Sequence, residues 1–366
     1  MNLSGRVVTI GRTRIVCGGK FTSVDAFLRA RRLEISKIVI LVDEHTGRLC
    51  LPLLKEGTVL LNDALVLEIP SGDLNKNIQT ATGIWNEMLA SKADRKTLLI
   101  NLGGGVISDL GGFVAAGFKR GISYINIPTT LMGQVDASIG GKTAINFGGV
   151  KNQIGFFYTP IAVFIFPEFL KSLPSDQFRS GLAEIIKYAL IADPVLWNKI
   201  KRMPVRKIEQ VPDNLLKEFI SKTVAFKNSI VRKDFRDNGV RKVLNFGHTI
   251  GHAFESLSRM GERKSLLHGE AIAIGMICEG YLSAMKKGLD FNESEGIKKL
   301  LRSVYSHYHF TREDIPILIE LMEHDKKNRD GLIDFTFLKS IGSAVINSSC
   351  NRKEITESLE YYLKEI

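Results

Sequence analysis

Short unbroken apolar runs alternate with helical periods through the first half of the chain. Lys37–Val42 (KIVILV) is one such run, and Leu65–Ile69 is a second that closes on the turn Pro70-Ser71-Gly72-Asp73. From Asn75 to about Ala90 the period changes to that of a helix, with Ile78, Ala81, Ile84, Trp85 and Met88 on one face. Thr97–Leu102 (TLLINL) predicts a strand that ends in three glycines. Ser123–Ile127 predicts another, running into Pro128-Thr129-Thr130, and Ala162–Phe166 a last one. Continuous apolar strands are buried on both faces, as in a parallel sheet covered by helices. From Ser175 onward helical periods dominate: Gln177–Ile191, Asn214–Asp234, Val243–Arg259, Gly269–Lys287, Glu293–Tyr305 and Arg312–His324. Only Ile333–Leu338 and Ala344–Ile346 look like strands there. The change of character falls at Leu173-Pro174-Ser175-Asp176, where a proline and a serine precede a helix start. The fold class expected is therefore α/β plus α: a Rossmann-like α/β domain over 1–173 and a mainly or wholly helical domain over 174–366.

A length of 366 residues suits two domains, and a 44% hydrophobic fraction supports packed cores. The longest apolar stretches, such as Ile161–Pro167, are far too short to span a bilayer. The opening MNLSGRVVTIGRTRIVC alternates polar and apolar residues and has no secretory apolar core. Four cysteines (Cys17, Cys50, Cys278, Cys350) sit far apart with no C-x-x-C pair, which points to reduced thiols in a cytoplasmic protein. The formal charge of +11 asks for anionic partners. Nucleic acid would call for dense basic runs interleaved with aromatics. The one dense run, Lys199–Lys207 (KIKRMPVRK), contains no aromatic residue, so neither a nucleic acid nor a membrane is expected as partner.

Four segments carry chemistry. The first is Asn101–Gly112 (NLGGGVISDLGG), a strand feeding a glycine turn and a helix. Glycines allow close backbone approach, and helix-start N–H groups hold phosphate, but the segment only half matches a dinucleotide fingerprint. The second runs from Pro128 to Thr143. Its Gly141-Lys142-Thr143 imitates the end of a P-loop, yet Asp136 occupies the position of the loop's first glycine, so a nucleoside triphosphatase is excluded. What remains is a polar edge with Asp136 and Lys142, followed by Lys151-Asn152. The third, Gly181–Lys187, sets Glu184 and Lys187 three residues apart on one helix face among apolar neighbours; a surface ion pair is the plain alternative. The fourth is Asn245–Glu255 (NFGHTIGHAFE) followed by His268-Gly269-Glu270. His248 and His252 lie one helical turn apart, and with His268 and a carboxylate such as Glu184 they could form a divalent-metal site. Gly251 stands where a zincin has its catalytic glutamate, which disfavours a metalloprotease. Spacing does not say which two histidines would be ligands.

Taken in order, GGGVISDLGGFVAAGFKRG, IPTTLMGQVDASIGGKTAIN, KNQIG, GLAEIIKYALI, RKVLNFGHTIGHAFE, LLHGEAIAIGM and DKK make the chain resemble the 3-dehydroquinate synthases, within the sugar-phosphate cyclases, over roughly residues 38–345. The resemblance implies an N-terminal NAD-binding domain and a C-terminal helical metal- and substrate-binding domain. It implies a zinc or cobalt ion on Glu184, His248 and His268. It implies NAD contacts at Ser71, Gly72, Asp73, Lys76, Gly104, Gly105, Val106, Asp109, Thr129, Thr130, Lys142, Lys151, Phe169, Leu170, Lys171 and Ser172. Catalytic roles fall to His252, Lys187, Asp136, Asn245 and Lys142. Substrate contacts fall to Arg120, Asn152, Lys227, Arg241 and Lys326. Arg120 would reach the substrate phosphate of a neighbouring subunit, which implies a homodimer. Two positions depart from the family's habit: Asp73 and Asp237 stand where glutamate is usual. The implied reaction takes 3-deoxy-D-arabino-heptulosonate 7-phosphate to 3-dehydroquinate and phosphate. It passes through transient oxidation, β-elimination of phosphate, re-reduction and aldol closure. The rivals are a sister cyclase and a metal-dependent polyol dehydrogenase such as glycerol dehydrogenase, which would release NADH.

Overall fold

The computed structural model describes residues 6–10, 13–148, 150–203, 210–323 and 333–364. The chain divides into two compact units, Met1–Pro174 with Asp213–Arg236, and Ser175–Pro212 with Asp237–Ile366.

In the first unit, strands β1 (Arg6–Ile10), β2 (Thr13–Cys17), β3 (Ile38–Asp43), β4 (Leu65–Ile69), β5 (Leu98–Gly103), β6 (Tyr124–Pro128) and β9 (Ala162–Ile165) form one sheet in the order β1-β2-β9-β6-β5-β3-β4. Every pairing is parallel except β1 with β2. The apolar runs are buried as their pattern requires: β5, β6 and β9 are buried at every residue. Helices α1 (Thr22–Ala30), α2 (Glu44–Leu49) and α3 (Leu51–Glu56) follow the early strands, and α4 (Ile78–Ala90) and α5 (Gly105–Gly117) the later ones. One apolar cluster joins Val24, Phe27 and Leu28 to Ile40, Ile100 and Phe164; the other joins Ala81, Ile84 and Met88 to Val39, Leu99 and Val114. The sheet is therefore covered on both faces. Between β6 and β9 the chain also makes a hairpin, β7 (Lys142–Phe147) with β8 (Val150–Phe157), where the sequence showed only a polar edge.

The second unit begins with α6 (Ser175–Ala192) and α7 (Pro194–Lys201). The next helix, α8 (Asp213–Lys233), departs from the expected boundary, because it belongs to the first unit. Lys227 on α8 donates to the Asp136 backbone oxygen at 2.7 Å and to Oδ1 at 2.6 Å, which accounts for that attachment. The second unit resumes with α9 (His248–Leu257), α10 (His268–Lys287), α11 (Phe291–Val304), α12 (Ile315–Glu323) and α13 (Arg352–Leu363). It is mainly helical but not wholly so: β10 (Ile333–Ser340) and β11 (Ser343–Cys350) pair as an antiparallel hairpin at the two places that read as strands. Among the described residues no helix is long and apolar enough to cross a membrane. All four cysteines are free thiols, and burial pushes those of Cys50 and Cys350 up to about 12.

Candidate active site

In the first unit the candidate residues gather at the carboxyl ends of parallel strands. β3 is flanked by β4 on one side and β5 on the other, so the strand order reverses there, and ligands of open α/β sheets bind outside such a reversal. Asp43 ends β3 and Glu44 opens α2, Ser71–Lys76 follow β4, Gly104 and Gly105 follow β5, and Thr129 and Thr130 follow β6. The 13-residue α5 starts at Gly105 with Gly104 as its N-cap and no side-chain cap, so its first N–H groups are left to a ligand or water. Gly104 packs against Thr130: a Cβ there would stand 2.9 Å from Thr130 Cγ2. Glu44, which the sequence did not single out, accepts from Ser71 N and Ser71 Oγ, both at 2.6 Å, and fixes the β4 turn to the β3 turn. Its hydrogen bond from Ser71 holds its carboxyl below the ordinary value. The implied contacts at Phe169 and Leu170 are core side chains, with the Phe169 ring against Phe21 and Phe166, so a ligand there would meet backbone. Lys171 and Ser172 beside them are exposed.

A polar network links several of these groups. The buried Lys76 donates to Asp109 Oδ2 at 3.0 Å and to Asn152 Oδ1 at 2.6 Å. Lys151 Nζ lies 3.0 Å from Asp73 Oδ2, and Asn146 Nδ2 donates to the Asp73 backbone oxygen at 2.9 Å. Asp73 thus keeps a cation and an amide within reach despite its shorter side chain. Burial raises the Asp109 carboxyl, against the pull of Lys76. Asn152 adopts φ +53°, a left-handed conformation that asparagine accepts readily, and Arg120 φ +67°, which a longer side chain holds at a cost its surroundings must meet. Val106 is the second residue of α5, Lys142 is exposed at the start of β7, and Arg120 is exposed on the turn after α5.

The second unit holds the metal-type cluster. Glu184 on α6, His248 at the start of α9 and His268 at the start of α10 each offer one ligand atom, all within 4.8 Å of one another. Glu184 is fully buried, with Oε1 at 3.6 Å from His248 Nε2 and 3.7 Å from His268 Nε2. An ion bound tetrahedrally at about 2.0–2.1 Å sets neighbouring ligand atoms about 3.3 Å apart, close to both distances from Glu184 Oε1. The rings are turned for it. His248 Nδ1 meets the Phe246 carbonyl at 3.1 Å and His268 Nδ1 meets Glu255 Oε2 at 3.1 Å. With those nitrogens donating, each Nε2 presents a lone pair to the cluster, the usual outer support of a metal-bound histidine. Burial lowers His248 far below the ordinary imidazole range, aided by Lys187 and the other two histidines. At His268 burial is outweighed by Glu184 and Glu255, and the ring is held at about 9.

Lys187, on α6 one turn after Glu184, pairs with Glu184 Oε2 and is buried. The exposed His252 ring stands 5.2 Å from that of His248 and 5.9 Å from that of His268. Arg241, buried, and Asn245 lie on the short 3₁₀ segment just before α9. Lys326 lies outside the described residues, as do His324 and part of Lys199–Lys207. Glu255 and Glu279 are site-shaping carboxylates that the sequence left unassigned. Only the place of Glu255 at the end of the histidine motif hinted at either.

The family model described as 3-dehydroquinate synthase N-terminal matches residues 66–180, and the one described as 3-dehydroquinate synthase C-terminal matches residues 181–328. The chain belongs to the 3-dehydroquinate synthase family. A 3-dehydroquinate synthase of Parabacteroides distasonis is 42% identical over 348 residues, covering 95% of this chain and 97% of that protein. A 2-deoxy-scyllo-inosose synthase solved with carbaglucose-6-phosphate, NAD+ and Co2+ superposes with TM-score 0.85 at 23% identity, covering 97% of this chain and 99% of that one. A 2-epi-5-epi-valiolone synthase from Streptomyces hygroscopicus subsp. jinggangensis with NAD+ and Zn2+ superposes with TM-score 0.83 at 25% identity, covering 98% of both. In the family's terms the switch-point loops fall within or just before the N-terminal match, and Glu184, His248 and His268 all fall within the C-terminal one.

Proposed function

We propose that the chain is an NAD- and metal-dependent lyase that converts 3-deoxy-D-arabino-heptulosonate 7-phosphate to 3-dehydroquinate and phosphate. The cluster of Glu184, His248 and His268, with both outer ring nitrogens anchored, is the observation that carries this reading beyond family membership. When bound, NAD+ accepts and returns a hydride, and the divalent ion, zinc or cobalt, polarises neighbouring hydroxyls as a Lewis acid. The chain's own residues do the rest. Lys187 balances the buried Glu184 charge and offers N–H donors to oxygen that gains charge. His252, beside the ligand histidines, gives or takes a proton at a substrate hydroxyl. Lys227, oriented by Asp136, and Lys142, Asn152 and Arg120 of the first unit, and Arg241, Asn245 and Lys326 of the second, supply the cationic and amide groups for the substrate's phosphate and carboxylate. Ser71–Lys76, Gly104–Asp109, Thr129, Thr130, Lys151 and the backbone of 169–172 hold the dinucleotide.

The same reading assigns dinucleotide binding to the first unit, α8 included, and metal binding to the second. It takes the chain as a cytoplasmic homodimer. The four free thiols support the compartment. Exposed Arg120 and the exposed Phe147, Val150, Ile154 and Phe156 of the β7–β8 hairpin support a second copy, which would cover that apolar area. The test is release of inorganic phosphate from the heptulosonate phosphate. It should require a divalent ion and only catalytic NAD+, with no build-up of NADH. NADH formed in step with substrate loss would overturn the cyclase reading in favour of a polyol dehydrogenase.

A further inference from the structure

α9 and α10 pack backbone against backbone. A Cβ on Gly275 would stand 1.9 Å from Gly247 O and 2.8 Å from Gly251 N, and one on Gly251 would stand 2.9 Å from Ile272 Cδ1. Across this contact each helix sends a buried carboxylate to the first turn of the other. Glu255 of α9 holds His268, the first residue of α10. Glu279 of α10, fully buried, accepts from Gly247 N at 2.7 Å and from Ile250 N at 3.2 Å at the start of α9. α9 has no cap of its own: Gly247, at φ +78°, offers no side chain. Glu279 therefore supplies both the cap and the compensating negative charge from the neighbouring helix. His248 sits between the two N–H groups that Glu279 grips.

We propose that Glu279 is a positioning residue for the metal site. It fixes α9 lengthwise on α10, and so sets His248 Nε2 against His268 Nε2 and Glu184 Oε1. α10 is itself pinned to α6, because Gly269 N donates to Ser180 Oγ at 3.0 Å, one turn before Glu184. Three helices that each carry one ligand are thus joined by three polar contacts, through Glu279, Glu255 and Ser180, and a glycine interface. A slide of α9 by about 1 Å would be a large error for a first shell, which tolerates about 0.2 Å.

The proposal rests on the metal reading, and its test separates the two. The full-length chain, stripped with a chelator, is titrated with Co2+ and followed by its visible ligand-field bands and by thermal unfolding. Glu279→Gln should weaken Co2+ binding about 10-fold or more and shift the bands, as loss of outer support does at metal sites. Gly251→Ala, which spreads the helices without touching a charge, should move both readouts the same way. Lys298→Met serves as control. It removes a buried lysine that donates to the Tyr361 and Lys364 carbonyls, so it should lower thermal stability and leave Co2+ affinity within twofold. Wild-type Co2+ affinity and bands in Glu279→Gln overturn the proposal, whatever its thermal stability. If that variant fails to fold, Gly251→Ala decides on the same readouts. A wild-type chain that takes up no Co2+ overturns the metal reading itself.

Discussion

Replacing Glu184 by glutamine removes one negative charge and almost no volume. Glu184 is fully buried, and its partner Lys187 is 1% exposed, so water reaches neither group. Breaking a buried pair by neutralising one member costs about 3–5 kcal/mol, because the other charge stays buried without compensation. Glu184→Gln should lose about that much in the metal-free chain, and Lys187→Met somewhat less, because His268, held at about 9, keeps a second cation 3.7 Å from Glu184. The double variant holds two neutral side chains in the same space, and buried pairs replaced in this way often cost little or nothing. The two effects should therefore fall short of additivity by about 3 kcal/mol or more, well beyond the 0.3–0.5 kcal/mol scatter of independent sites. Urea unfolding of the four proteins in chelator, followed by far-ultraviolet circular dichroism, measures the cycle. Simple additivity would refute the reasoning, since it would mean that Lys187 is not the counter-charge of Glu184. The double variant should also take up no Co2+, which separates stability from site chemistry.

His268→Ala should abolish metal binding, whereas His252→Ala should keep it and lose turnover. Equilibrium dialysis with Zn2+ beside a phosphate-release assay checks both. Arg120→Ala should lower phosphate release while leaving thermal unfolding within about 1 °C of wild type, because Arg120 is exposed. The Asp314 carboxyl is held below its ordinary value of 3.8, first by hydrogen bonds from Arg263, with N–H···O distances of 2.7 and 3.2 Å. A depressed carboxylate adds stability above its unfolded pKa and loses it as pH falls through the folded one. Arg263→Ala should therefore cost about 1 kcal/mol or less near pH 7, since Arg263 is partly exposed, and nothing once the pH is well below 3.8. Thermal scans from pH 7 to pH 2.5 read the convergence.

The parallel strands were legible because burial on both faces leaves one signature, an unbroken apolar run. The hairpin β7–β8 was not, because its residues are mostly exposed and its glycines and polar groups read as a loop. The assignment of α8 was hidden for another reason. Its helical period was plain, but period says which face is apolar and not which partner that face meets. The histidine pair and Glu184 stood out by residue type. Glu279 did not, because a carboxylate that caps a helix 29 residues earlier in the chain leaves no local spacing to find.

The excursion of the chain at α8 bears on how the protein is made. The first unit includes Asp213–Arg236, yet 38 residues of the second unit, Ser175–Pro212, are synthesised before that segment. On the ribosome the first unit therefore cannot complete itself at Pro174. It must wait for α8 while a fragment of its neighbour hangs in the interval, short of the histidines that α6 will need. A chain cut at residue 174 would lack Lys227 and its ion pair with Asp136. The two units are thus interdependent in time, and neither can be released by a single cut.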